Sequence, residues 1–297
     1  MICFFESSRA DRAPLEVVKN SLGYGEWISV GEDFVFPPNR YRRAFDLVYG
    51  TRFNVLVVLG DRYETVAAAS AAVMRRKKIV HLHGGEVSRG SFDDSFRNSI
   101  THMADVHCVA TEKAFDRVMC LAGPLGVHLT GAPGLDAIKD LPPRSPGKTI
   151  ILTYHPETRG DDSGFHGMMD CLSDLVEDGY EIIWTGPNMD PDPNGIRDFL
   201  MANFTPNKMS HRDYILACRQ AAFVIGNSSS GIIECPTIGV PSIDVGTRQD
   251  GRERGPSVIK FDGFSSIRRA LLYSGPFDNP YYQPNASKAV ANILRSL

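Results

Sequence analysis

Short apolar runs of strand length alternate along the chain with longer amphipathic stretches. The runs are Ile2–Phe5, Val55–Leu59, Ile79–His83, His107–Ala110, Thr149–Thr153, Glu181–Thr185, Phe223–Ile225 and Ser242–Val245. Most are β-branched and nearly continuous in hydrophobicity, the pattern of strands buried on both faces. Helical spacing is read over Arg12–Ser21, Tyr63–Arg76, Phe92–Met103, Thr111–Cys120, Gly167–Asp178, Arg212–Arg219 and Gly231–Ile238. Strand then helix, repeated, predicts an α/β fold of parallel sheets with helices on both faces.

The pattern breaks at Leu141-Pro142-Pro143-Arg144-Ser145-Pro146-Gly147-Lys148 and restarts at Thr149. Prolines and a glycine end one set of elements there, which predicts two domains, residues 1–143 and 144–297. The last helical segment, Asn285–Leu297, follows a proline-rich stretch and is a candidate to cross back to the first domain. The first domain reads as short. Between its first helix and Val55 there is one irregular segment and one helix-like stretch, Arg40–Tyr49, where a full doubly wound domain has room for more strands.

Composition narrows the class. The 297 residues are 42% hydrophobic and 23% charged, enough for a sizeable core and unlike a disordered chain. A net charge of −3 argues against a nucleic-acid partner, which calls for a basic excess. The six cysteines are scattered with no CxxC pair, so neither a metal site nor a disulfide framework is expected; Cys108 and Cys235 read as buried thiols. The chain opens in the strand-like MICFF, without a cationic leader or a long apolar segment, so no membrane partner and a cytoplasmic location are expected.

The chemistry gathers after the strands. In open parallel sheets ligands bind outside the carboxyl ends of the strands. Here those ends read Ser7-Ser8-Arg9, Gly60-Asp61-Arg62, Gly84-Gly85-Glu86, His155-Pro156-Glu157 and Gly226-Asn227-Ser228-Ser229-Ser230-Gly231. The serine run leads into a helix, where backbone N–H groups, the helix dipole and hydroxyls suit a phosphate; plain helix capping is the bland alternative. Glu234 lies one turn further, placed to accept two sugar hydroxyls, or simply favoured there by the dipole.

Asp61 and Glu86 end successive strands, and Asp93 and Asp94 open the next helix. If the strands are neighbours these acids converge, and converging carboxylates raise one another's pKa to give an acid and a base near neutrality. Asp61, Asp93 and Asp94 read equally well as helix caps, whereas Glu86 after two glycines is poorly placed to cap anything. His155 could hold a phosphate or shuttle a proton, or be a structural turn residue. Arg9 could neutralise a diphosphate or pair with Asp11 or Glu16. Arg248, Arg252 and Arg254 form a basic cluster that either faces phosphates or makes salt bridges across a domain seam. His81, His83 and His107 read as core or supporting groups.

These motifs together resemble the hydrolysing UDP-N-acetylglucosamine 2-epimerases. The resemblance rests on Val58-Leu59-Gly60-Asp61-Arg62-Tyr63-Glu64, His81-Leu82-His83-Gly84-Gly85-Glu86 and Phe92-Asp93-Asp94-Ser95-Phe96-Arg97. His155-Pro156-Glu157-Thr158, the run Gly226–Glu234, and Gly246-Thr247-Arg248-Gln249-Asp250-Gly251-Arg252 extend it, and Ser8-Arg9-Ala10-Asp11 is similar to the family's first turn. It implies a GT-B fold of two Rossmann-like domains facing across a cleft, with the nucleotide held mainly by the second. It implies anti elimination of UDP from a UDP-N-acetylglucosamine-type sugar to give a 2-acetamidoglucal, then hydration to an N-acetylmannosamine-type sugar.

By the same resemblance Asp61, Glu86 and either Asp93 or Asp94 carry the proton transfers. His155 and Arg9 hold the diphosphate with Ser228 and Ser229, in a turn completed by Ser230 and Gly231, with Arg248 also on the nucleotide, and Glu234 takes the ribose. Neither metal nor other cofactor is implied, and a homo-oligomer, dimer or tetramer, is. Two departures stand out: Ser7 where the family has a glycine, and the short first domain, which bears on sugar choice. The rivals are a GT-B glycosyltransferase with a UDP-sugar donor, a non-hydrolysing epimerase, and an inactive UDP-sugar-binding module.

Overall fold

The computed structural model describes residues 1–31, 37–138, 141–186 and 190–297, with the side chains of residues 9 and 37 outside the description. The chain divides into two compact units: unit 1 comprises Met1–Glu86, Asp93–Ala137 and Tyr281–Leu297, and unit 2 comprises Val87–Phe92 and Ile138–Pro280.

Unit 1 runs β1 (Ile2–Glu6), α1 (Arg9–Leu22), β2 (Glu26–Ser29), α2 (Pro37–Gly50), β3 (Val55–Leu59), α3 (Tyr63–Met74), β4 (Lys78–Leu82), α4 (Asp93–Met103), β5 (Val106–Val109), α5 (Glu112–Ala122) and β6 (Val127–Leu129). Its six strands are parallel, in the order β2-β1-β3-β4-β5-β6. Alternate residues of each strand face opposite sides. Cys3, Phe5, Leu56 and Val58 join a core with Ala67, Ala71 and Ile100, while Ile2, Phe4, Val55 and Val57 join another with Leu15, Val18, Val290 and Leu294. The segment read as irregular between α1 and β3 is β2. Only Ile28 of its four residues is buried, so it carries no apolar run to announce it.

Unit 2 runs β7 (Thr149–Thr153), α6 (Phe165–Glu177), β8 (Glu181–Trp184), α7 (Ile196–Asn203), α8 (His211–Gln220), β9 (Phe223–Gly226), α9 (Ser230–Ile233), α10 (Cys235–Ile238), β10 (Ser242–Asp244), β11 (Val258–Lys260) and α11 (Phe264–Leu271). Its five parallel strands are ordered β11-β10-β9-β7-β8. Ile150, Leu152 and Ile225 face α6, α7 and α11, and Ile151 and Val224 face α8 and α10. The closing helix, α12 (Ala286–Arg295), belongs to unit 1, where Val290, Ala291 and Leu294 meet the α1 side of the sheet.

The single helix expected over Gly231–Ile238 is two short helices meeting at Glu234. Pro236 has no N–H to donate and its ring crowds the carbonyl four residues back, so the first helix cannot continue through it.

Both sheets reverse direction beside their first strand, between β1 and β3 and between β7 and β9. Such reversals leave a crevice at the carboxyl edge, where ligands bind. Residues 7–8 and 60–61 leave one reversal, and residues 154–157 and 227–231 leave the other.

Candidate active site

In unit 1 the acids are organised by a cation. The guanidinium of Arg97, on α4, is 1% exposed. Its Nη2 donates to Asp61, its Nη1 donates to Asp94, and Nη1 also donates to the Glu86 carbonyl at 2.8 Å. Asp94 reaches it because residues three apart share a helix face. Asp61 reaches it because β3 and β4 are neighbours, paired through Leu59 and Leu82. Burial alone would lower the Arg97 pKa; Asp61, Asp94 and Asp93 outweigh it, and the pKa is raised. A buried charge is tolerable when its partners surround it in this way. The carboxylates therefore do not confront one another bare, as convergence of acids alone had suggested; they are collected on a guanidinium.

The helix-cap alternative for Asp61 does not hold, because α3 starts at Tyr63 with Arg62 in the cap position. The Asp61 and Asp94 side chains keep 22% and 21% of their surface exposed, so each retains an accessible edge. Glu86 is more enclosed. Its Oε1 lies 2.6 Å from His83 Nδ1, and its side chain is 3% exposed. That pairing follows from a tight exit from β4: His83 has φ +62° and Gly85 φ +78°. A Cβ at Gly85 would stand 2.4 Å from the Ala114 carbonyl oxygen, so the turn accepts only glycine there.

His81 is fully buried, and burial pushes its pKa down to about 3. It is neutral, and its Nε2–H donates to the Gly60 carbonyl at 2.8 Å, steadying the turn that carries Asp61. Near the start of α1, Asp11 accepts the N–H groups of Ser7 and Ser8 at 2.9 and 3.0 Å, so it fastens its own turn. The Arg9 side chain, assigned to the diphosphate from sequence, lies outside the described residues.

In unit 2 the two loops at the sheet reversal are fastened to each other. Gly226 ends β9 with φ +140°, and a Cβ there would sit 2.0 Å from the Thr153 carbonyl oxygen. The following Asn227 is fully buried. Its Oδ1 accepts the His155 N–H at 2.8 Å and its Nδ2 donates to the His155 carbonyl at 2.7 Å. Gln249 donates to the Asn227 carbonyl at 2.8 Å. His155 and the serine run are thereby held together. Ser229 occupies the cap position of α9 without a side-chain capping bond, while the Ser228 hydroxyl accepts the Ser230 N–H at 3.3 Å. The Ser230 hydroxyl meets the Tyr214 hydroxyl at 2.7 Å. Gly231 follows within α9, and Glu234, at the break after it, lies 2.8 Å from His211 Nε2.

Arg248, read from sequence as facing phosphates or making a salt bridge, has an ion-pair partner in the structure. Its Nη2 is 3.2 Å from Asp190, and Arg254 is 2.6 Å from Asp244, all within unit 2. The turn carrying Arg248 hangs on Glu157, a buried carboxylate accepting the Thr247 N–H and hydroxyl at 2.6 Å each and the Arg248 N–H at 2.9 Å. The same turn receives Val87–Phe92: Gly90 N–H donates to the Thr247 carbonyl at 3.1 Å, and Phe92 N–H to the Thr158 hydroxyl at 2.9 Å.

Arg97, Glu157, Asn227 and His211 carry this architecture, and sequence reasoning gave none of them a role. The first three stand inside the motifs that were read; a buried charge or amide next to a strand end was their available signal. Among the described residues, no group of three or more His, Cys, Asp or Glu side chains is arranged to hold a metal, and no helix is long and apolar enough to cross a membrane.

The family model described as UDP-N-acetylglucosamine 2-epimerase matches residues 43–295. Polysialic acid biosynthesis protein P7 of Escherichia coli is 28% identical over 84% of this chain and 72% of its own length. The UDP-N,N'-diacetylbacillosamine 2-epimerase (hydrolyzing) of Legionella pneumophila is 33% identical over 82% of this chain and 71% of its own. UDP-N-acetylglucosamine 2-epimerase of Neisseria meningitidis is 33% identical over 70% of this chain, which spans only 60% of that relative. Among solved structures, a UDP-GlcNAc 2-epimerase from Neisseria meningitidis bound to UDP-GlcNAc superposes with a TM-score of 0.79 at 14% identity, covering 100% of both chains. The Staphylococcus aureus MnaA-UDP co-structure gives 0.78 at 14% identity, covering 99% of this chain and 96% of that one. The two parallel-sheet units are those of the GT-B epimerase structures, and the chain belongs to the UDP-N-acetylglucosamine 2-epimerase family.

Proposed function

We propose that this chain is a hydrolysing 2-epimerase acting on a UDP-N-acetylglucosamine-type sugar. The observation that carries the reading is the collection of Asp61, Asp94 and the Glu86 turn on one buried guanidinium at the carboxyl ends of β3 and β4. Carboxylates held in fixed directions, with accessible edges on Asp61 and Asp94, suit removal of one proton and delivery of another on a sugar ring. One carboxylate takes the C2 proton while the C1–O bond breaks and UDP leaves with the bonding pair, giving a C1=C2 glucal. Water then adds its hydroxyl to C1, its other proton passing to a carboxylate, while a protonated carboxyl gives C2 a proton on the opposite face.

Asp61, Glu86 and Asp93 or Asp94 supply these transfers, and Arg97 positions them. His155, Ser228, Ser229, Ser230 and Gly231 receive the diphosphate, with Arg9 and Arg248 as further cations, and Glu234 receives the ribose. Relatives named as hydrolyzing, in Legionella pneumophila and Campylobacter jejuni, support release of free sugar. The Neisseria meningitidis relative, named without that word, supports the second reading, an epimerase that returns the UDP-sugar. The family likeness also brings the expectation of a cytoplasmic location and of a homo-oligomer, the second of which light scattering on the purified protein checks.

The test is to incubate the protein with UDP-N-acetylglucosamine, and separately with UDP-N,N'-diacetylbacillosamine, without acceptor. Free UDP and a manno-configured free sugar in equal amounts are expected from at least one. An epimerised UDP-sugar without UDP release would favour the second reading. Release only on adding an acceptor would make the protein a glycosyltransferase.

A further inference from the structure

Helix α8 is set against the serine turn by two side chains three residues apart, on one helix face. His211 Nε2 lies 2.8 Å from Glu234 Oε1, and the Tyr214 hydroxyl lies 2.7 Å from the Ser230 hydroxyl. These are the two ends of α9: Ser230 opens it and Glu234 closes it at the break before Pro236. The Glu234 backbone is held on both sides, its N–H donating to the Ser230 carbonyl at 2.9 Å and its carbonyl accepting the Ile238 N–H at 3.0 Å, so the direction of its side chain is what remains to be fixed. The contacts from α8 supply the missing constraint. Both Glu234 and His211 are partly exposed, with 18% and 33% of their side-chain surface open, so the pair borders solvent and not the core.

We propose that His211 is a positioning residue for nucleotide binding: it fixes the direction of the Glu234 carboxylate and, when protonated, offsets its charge, so that UDP binds more tightly in acid than in alkaline solution. The inference rests on the reading of Glu234 as a nucleotide contact. A lone carboxylate beside a diphosphate repels it; an imidazolium bonded to that carboxylate cancels the repulsion. As pH rises the imidazole becomes neutral, the bond to Glu234 weakens, and the negative charge is left beside the anionic ligand.

The groups around His211 agree with this direction. Glu234 is the charged partner from the α9–α10 stretch; on α8 itself Arg212 and Asp213 are adjacent in sequence, and Asp213 is turned to the Ser210 hydroxyl at 2.6 Å. The hydrogen bond that the imidazole donates to Glu234 raises its pKa, against the lowering effect of burial and with further help from the Glu234 charge. Tyr214 stays protonated, since burial raises its pKa well above the usual value.

The experiment measures UDP affinity by calorimetry at pH 6 and pH 8.5 for the wild type, His211→Asn, Tyr214→Phe and Glu234→Ala, with thermal melting of each. Wild type is expected to bind several-fold more tightly at the lower pH. His211→Asn is expected to lose about tenfold at pH 6, and less at pH 8.5, so that its pH dependence is flatter than the wild type's. Tyr214→Phe removes one hydroxyl and is expected to weaken UDP severalfold with an unchanged pH profile, which keeps the claim testable if the histidine variant melts early. If Glu234→Ala binds UDP like the wild type, the nucleotide reading of Glu234 fails. If Glu234→Ala is weakened but His211→Asn matches the wild type at both pH values, the reading stands and the role given to His211 is overturned.

Discussion

Arg97 shows how one side chain decides what the neighbouring acids can do. Its fork serves Asp94 with one nitrogen and Asp61 with the other, and a lysine ammonium cannot span both. Arg97→Lys should stay folded and lose at least tenfold in kcat, whereas Arg97→Ala leaves two acids without their cation and should cost about 3–5 kcal/mol in urea unfolding. Glu86→Gln should abolish turnover and keep UDP affinity near wild type, because Glu86 lies in the acid group of unit 1 and its bonded partner is His83. A large loss of UDP affinity in that variant would remove Glu86 from proton transfer.

Asp11 supplies a pH signature at the same scale. Burial raises its pKa from 3.8 to about 6, against the opposing bonds from Ser7 and Ser8 and the charge of Arg62. The folded chain holds this proton more tightly than the unfolded chain. Its contribution to stability is therefore complete below 3.8 and is lost as pH rises through about 6. Asp11→Asn should remove that decline, a difference of ~3 kcal/mol between pH 3.5 and 7 on the scale of 1.36 kcal/mol per pH unit. Denaturant midpoints measured across that range, in parallel with the wild type, check it.

At the scale of elements, burial explains what the sequence could announce. The central strands β1, β3, β4, β7 and β9 are buried on both faces and read as apolar runs. The strands that escaped notice, β2, β6 and β11, lie at sheet edges, and β6 has its three residues only partly buried or exposed. An edge strand forms because a neighbour offers hydrogen bonds, and that partner is remote in sequence. The candidate site divides in the same way. Its acids, histidine and serines were visible as residue types at strand ends. The cation that collects the acids and the amide that joins Asn227 to His155 were not, since each acts through distant pairs. The break at Glu234 was missed although Pro236 was in view. Pro236→Ala should let α9 and α10 join, swing Glu234, and weaken UDP binding several-fold with an equal or higher melting temperature.

For the whole molecule, the path of the chain links the two kinds of chemistry. Val87–Phe92 belongs to unit 2, while the residues just before and after it, Glu86 and Asp93, belong to the acid group of unit 1. Gly90 is the fastening point: a Cβ there would lie 2.5 Å from the backbone of Thr247 and Arg248. Gly90→Ala should displace the segment and with it both flanking acids. A misplacement of about 1 Å can cost about a hundredfold in rate, so turnover should fall well beyond tenfold with little change in far-ultraviolet circular dichroism.

The most direct measurement of the proposed chemistry is turnover of the UDP-sugar in D₂O, followed by proton NMR and mass spectrometry of the released sugar. Elimination and rehydration place one deuteron at C2 for each UDP set free. A released sugar that keeps its original proton at C2 would contradict the account, because UDP would then have left without any carboxylate touching that carbon.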